Sequence, residues 1–80
     1  MAKSQHAASY RAVPALLKGM REEAGLTQRE LAARVRRSQP WVHKSEIGER
    51  RVDISEFLEW CLGCGAEPET MFKRLIRSRR

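Results

Sequence analysis

The sequence predicts an all-α fold, a compact bundle of five short helices, on three observations. Pro14, Gly25, Pro40, Gly48, Gly65 and Pro68 fall at intervals of helix length, where helices start and stop. The apolar residues between them recur at three- and four-residue spacing, the mark of a helix with one buried side. No stretch alternates apolar and polar residues with the period of two that a half-buried strand requires.

The first helix is expected over residues 10–24, with Ser9 as its N-cap and Pro14 near the first turn, where a missing amide is tolerated. Val13, Leu17, Met20 and Ala24 line its inner face. Gly25 supplies a left-handed stop, and Leu26 packs back on the helix as in a Schellman ending. Thr27 and Glu30 form a capping box that opens a second helix over residues 28–35, with Leu31, Ala32 and Val35 turned inward. Ser38 is the N-cap of a third helix, residues 39–47, which carries Pro40 in its first turn and ends before Gly48.

Asp53 and Glu56 form a second capping box, opening a fourth helix over residues 54–64. Ile54, Phe57, Leu58, Cys61 and Cys64 are assigned to its buried side. Gly65 ends it, and Pro68 starts a fifth helix over residues 68–77 with the apolar stripe Met71, Phe72, Leu75 and Ile76. That stripe either closes the core or extends into a dimer interface; its spacing fits both. The domain is expected at residues 9–77, between a flexible segment at 1–8 and a basic tail at 78–80.

Eighty residues are the length of one domain, near the lower size at which a hydrophobic core supports a fold unaided. Sixteen basic against ten acidic residues leave a net charge of +6, which favours an anionic partner and makes nucleic acid the first candidate. The basic residues are mixed with acidic ones rather than gathered beside an apolar anchor, which argues against a membrane surface. No apolar stretch approaches the roughly 20 residues of a spanning helix, and the first nine residues carry no apolar core of a secretory signal. The expected location is the cytoplasm, associated with a bacterial nucleoid.

The second and third helices are joined by only a few residues, which forces them to cross steeply. Around them stand Gly25, Leu26, Thr27, Gln28, Glu30, Leu31 and Ala32, then Ser38, Gln39, Val42, Lys44 and Glu46, then Gly48, Glu49, Arg50 and Arg51. This run resembles the Cro and C1 phage-repressor type of helix-turn-helix domain, the XRE family, over roughly residues 13–75. The resemblance implies the five-helix fold of the phage lambda-repressor-like DNA-binding type, with the third helix, residues 38–47, in the major groove. It also implies double-stranded DNA as partner and, in many members, two protomers on two half-sites; the apolar stripe of the fifth helix is the candidate surface for such a homodimer.

Carried over position by position, the resemblance has Gln28 bind a phosphate while steadying Gln39. Gln39 then presents its amide to adenine N6 and N7, and Lys44 reaches guanine O6 or N7. Pro40 and Trp41 stand where the family also approaches the groove, so an apolar surface there meets a thymine methyl. Arg36, Arg37, Arg50 and Arg51 flank the third helix and grip the sugar-phosphate backbone, joined by Ser38 and the exposed His43. Arg21 and Glu46 correspond to a structural pair between the first and third helices.

Three residues depart from the family pattern. Arg36 stands where the turn usually holds glycine, so a strained or reshaped turn is expected. Ser45 replaces a larger apolar residue, and loose packing beneath the third helix is expected there. Trp41 is bulky for a groove-facing position, and a role covering the gap at Ser45 is as open to it as base contact.

Cys61 and Cys64 form a C-x-x-C pair, the pattern of redox sites and of half a zinc site. With no second pair, no preceding strand and both histidines distant in sequence, they are expected to be buried thiols, without metal or cofactor. His43 has no nucleophile or acid arranged beside it in a recognisable catalytic order, so an enzyme is not expected. Two functions remain: a sequence-specific transcriptional regulator of bacterial or phage type, or a protein-interaction module, such as an antitoxin or adaptor, using the exposed part of the fifth helix for a protein partner. RNA binding is a poorer third, because the chain lacks an aromatic stacking platform.

Overall fold

The starts of three of the helices are fixed by side chains within the first turn. In the computed structural model, which describes residues 8–78, a 3₁₀ turn at Ala8–Tyr10 precedes five helices: α1 Ala12–Glu23, α2 Gln28–Val35, α3 Gln39–Glu46, α4 Ile54–Cys64 and α5 Pro68–Ser78. No strand occurs among the described residues. Residues 1–7 of the expected leading segment, and Arg79 and Arg80 of the expected basic tail, lie outside the described residues; Ser78 belongs to α5.

At α2 the Thr27 hydroxyl accepts from the Glu30 amide at 3.1 Å while the Glu30 carboxylate accepts from the Thr27 amide at 2.8 Å. Asp53 and Glu56 repeat this reciprocal cap at α4, and Ser38 Oγ caps α3 by accepting from the Trp41 amide. Each cap satisfies amides that have no partner inside the helix. α1 differs from expectation: it starts at Ala12, with Arg11 at the cap position and no side-chain cap. Ser9 lies in the preceding 3₁₀ turn, which is anchored by buried Tyr10, whose hydroxyl accepts from the Val52 amide at 2.8 Å.

The helix ends follow the same logic. The Leu26 amide donates to the Arg21 carbonyl across Gly25, and the Ala66 amide donates to the Cys61 carbonyl across Gly65. Each reversal places its middle residue in the left-handed region. α2 closes identically, the Arg37 amide reaching the Ala32 carbonyl, but the middle residue is Arg36 at φ 60°, ψ 45°. The strain expected at this turn is therefore present, at a cost of about 1–2 kcal/mol relative to a right-handed residue.

The core gathers Leu17, Met20, Leu31, Ala32, Val42, Trp60, Cys61 and Met71. Trp60 is wholly buried and donates its indole N–H to the Leu17 carbonyl at 3.1 Å. This corrects the expected inner face of α4. Ile54 is 73% exposed and Leu58 also faces outward, because Trp60 and Cys61, with half-buried Phe57 and Cys64, set the helix's rotation. Ala24, placed on the inner face of the first helix, is likewise exposed. Gly63 lets α4 approach α2: a Cβ there would stand 2.8 Å from Val35 Cγ1 and 2.9 Å from Leu31 Cδ1. On α5, Met71 is buried and Leu75 half-buried, while Phe72 and Ile76 remain exposed.

Candidate nucleic-acid interface

The position of α3 is set first by charge. Arg21 on α1 and Glu46 on α3 are both buried, and the guanidinium meets the carboxylate twice, Nε to Oε2 at 2.6 Å and Nη2 to Oε1 at 3.0 Å. Arg21 also donates through Nη1 to the Leu26 carbonyl at 2.7 Å, tying the α1–α2 turn to the same point. The hydrogen bond to Glu46 raises the Arg21 pKa above its ordinary value, against the opposing effect of burial. Removing one partner of such a pair typically costs about 3–5 kcal/mol, because a buried charge is left behind.

From this pair a line of hydrogen bonds runs outward. Gln28 Nε2 donates to Glu46 Oε1 at 2.9 Å, and Gln39 Nε2 donates to Gln28 Oε1 at 2.7 Å. Gln39, the first residue of α3, is half-buried and held from beneath. Beside it Pro40, His43 and Lys44 are exposed on α3, as are Ser38 and Arg36 in the turn before it. The structure thus collects Gln28, Arg36, Ser38, Gln39, Pro40, His43 and Lys44 within α3, the turn before it and the start of α2.

Trp41 and the flanking arginines are arranged differently from a free groove-facing surface. The Trp41 ring packs on Trp60 at 5.8 Å between centroids, and the guanidinium carbons of Arg37 and Arg50 lie over it at 4.7 and 4.6 Å. Of the two roles open to Trp41, this geometry favours packing over base contact. Ser45 beneath it is wholly buried yet satisfied: its hydroxyl donates to the Trp41 carbonyl at 2.8 Å and accepts from Arg50 Nη1 at 3.3 Å. The loose packing expected at Ser45 is thus replaced by a polar contact under a tryptophan lid.

Arg50 is half-buried and its Nη2 donates to Glu56 Oε2 at 3.0 Å, so its charge is turned inward rather than toward a backbone phosphate. Burial pushes the Glu56 carboxyl up, but hydrogen bonds from Arg50 and the Asp53 amide outweigh it and hold the group below the ordinary glutamate range. Arg37 pairs with Glu59 at 3.1 Å at the surface, and Arg51 is exposed with its guanidinium 4.1 Å from the Tyr10 ring centroid. Sequence reasoning missed Glu56 and Glu59 as anchors. Glu56 carried a signal only as a capping residue, a task that uses its other oxygen, Oε1.

Cys61 is buried as expected while Cys64 is only half-buried; both thiols are free, lie outside this surface and have their pKa pushed up to about 11 by desolvation. Among the described residues no group of three or more His, Cys, Asp or Glu is placed to hold a metal ion, and no helix is long and apolar enough to cross a membrane.

Comparison with known proteins agrees with this geometry. Residues 12–75 match the helix-turn-helix domain family. An XRE-family like protein from Pseudomonas syringae pv. tomato is 44% identical, with 89% of this chain and 87% of that one covered and a TM-score of 0.81. The clp gene regulator ClgR from Corynebacterium glutamicum is 28% identical over 84% of this chain and 87% of its own, at a TM-score of 0.77. The restriction-modification controller protein C.Esp1396I, solved as a tetramer with its natural 35 base-pair operator, shares the fold: TM-score 0.78, 24% identity, 85% and 90% coverage. No curated protein matches the chain.

Proposed function

The chain belongs to the helix-turn-helix domain family, of the XRE type, a family of DNA-binding regulators, and from that premise we propose that it is a sequence-specific double-stranded DNA-binding transcriptional regulator of bacterial or phage type. One observation carries the reading: Gln39 stands at the start of α3, fixed from the buried side by Gln28 and Glu46. An amide held in this way loses little freedom on meeting a base edge, which is what bidentate recognition of adenine needs. Lys44, exposed on the same helix, reaches a guanine, and Pro40 offers a thymine methyl an apolar surface.

Gln28, Arg36, Arg37, Ser38, His43 and Arg51 contact phosphates, while Arg50 holds Trp41 and α3 against α4. Two protomers meet through the exposed side of α5, Phe72 and Ile76, and read two half-sites. The protein works in the cytoplasm at the nucleoid. Selection from a random DNA pool tests the reading: an enriched motif, repeated about one helical turn apart, supports it. Recovery of no motif refutes it and leaves the second reading, a protein-interaction module, which the exposed apolar side chains of Ile54, Leu62, Phe72 and Ile76 favour.

A further inference from the structure

The line from Arg21 to Gln39 has a direction, set by the chemistry of its buried end. Glu46 is buried and ion-paired with Arg21 through both oxygens, so its carboxylate accepts and never donates. Only the amide nitrogen of Gln28 can face it. The Gln28 oxygen is then turned toward Gln39, which must answer with its own nitrogen; both contacts, at 2.9 and 2.7 Å, run from Nε2 to Oε1. Gln39 is left with one N–H and its Oε1 in a fixed spatial order. Adenine presents an acceptor, N7, beside a donor, N6, also in fixed order, so a reversed amide cannot pair with it in the same pose.

The geometry points to Glu46 as a specificity-determining residue that never meets DNA: through Gln28 it sets which way round the Gln39 amide faces the base pairs. It is a positioning residue, and its effect is on preference at one base pair. This inference rests on the proposed reading that Gln39 contacts a base. In the Glu46→Gln variant one acceptor oxygen replaces two and must be shared between Arg21 and Gln28, so the order of the Gln28 amide is no longer enforced and both orders of the Gln28–Gln39 pair become populated. Gln28→Met removes the relay while leaving the Arg21–Glu46 pair intact, which keeps a folded variant available.

The test has two arms. In the free protein, hydrogen-bond scalar couplings in NMR spectra should link the Gln39 amide nitrogen to the Gln28 side-chain carbonyl carbon, and the Gln28 amide nitrogen to the Glu46 carboxyl carbon. Their absence overturns the relay without reference to DNA. In the second arm, affinities are measured for the selected site and its single base-pair variants, with Gln39→Ala marking the pair that Gln39 reads. Gln28→Met and Glu46→Gln should each lose about tenfold or more of the discrimination at that pair and keep the discrimination elsewhere. Retained preference, or an equal loss on every sequence, overturns the relay and leaves the reading standing. A wild-type protein with no preference at any pair refutes the reading itself, and the role of Glu46 with it.

Discussion

Replacing Arg36 by glycine should stabilise the domain while weakening its hold on DNA, and the two effects can be measured apart. Arg36 sits at φ 60°, ψ 45° and closes α2 through the bond from the Arg37 amide to the Ala32 carbonyl. A side chain in this region costs about 1–2 kcal/mol, which glycine removes. Glycine also has more freedom to lose on folding, about 0.5–1 kcal/mol, so the net gain centres on about 0.75 kcal/mol. For a domain of this size that corresponds to a rise in Tm of about 3–6 °C, read by circular dichroism and checked by urea titration. The same variant removes one cation from the proposed phosphate surface. The slope of log affinity against log salt should become shallower by about 0.9. Arg36→Ala separates the causes, because it loses the charge and keeps the strained backbone: its slope should match the glycine variant and its Tm should not rise. An Arg36→Gly Tm equal to or below the wild type would refute the strain argument.

Other parts of the fold give further expectations. Gly63→Ala should destabilise by about 1–3 kcal/mol, because its Cβ meets a stiff Val35 and a buried Leu31 at under 3 Å; an unchanged urea midpoint would contradict the close packing of α2 and α4. Glu56 has a lowered pKa when folded, so its contribution is complete at neutral pH and is lost as pH falls below the ordinary glutamate value, about 4.3, and through the folded one. Glu56→Gln should accordingly be less stable than the wild type at pH 7, and the two should converge in acid; a constant gap across that range would show that the ion pair with Arg50 is not the cause. Cys61 and Cys64 have raised pKa values, so the sign reverses: their contribution is complete below about 9 and is lost as pH rises through about 11. Thiol alkylation at neutral pH should be slow until the protein is denatured, and fast native labelling of Cys61 would contradict its burial.

What the sequence discloses and what it hides divide by range. The capping boxes at Thr27 and Asp53 each need residues only three apart, and both are legible without any tertiary contact. The start of α1 was not, because Tyr10 is held by the Val52 amide 42 residues away and the preceding turn takes up Ser9. α4 carries apolar residues on two overlapping stripes. Its rotation is decided by the Trp60 indole, which finds the Leu17 carbonyl 43 residues away, and so Ile54 and Leu58 face outward.

The functional surface divides in the same way. The residues of α3 and its turn could be named from the resemblance, and the strain at Arg36 could be anticipated from the missing glycine. The charge on Arg50 was visible, but its capture by Glu56 and the Trp41 ring arises only when α3 and α4 are packed together. The bond from Gln28 to Glu46, which spans 18 residues, lies equally beyond local pattern.

Whether Gln39 at the head of α3 reads a base pair is decided by comparing the wild type with Gln39→Ala on the selected site and on every single base-pair variant of it. If Gln39 reads a base, the alanine variant should fold with a similar Tm and lose about tenfold or more of the discrimination at one pair in each half-site, with preferences at the remaining pairs and the salt slope nearly unchanged. An alanine variant with the wild-type preference at every pair would contradict it.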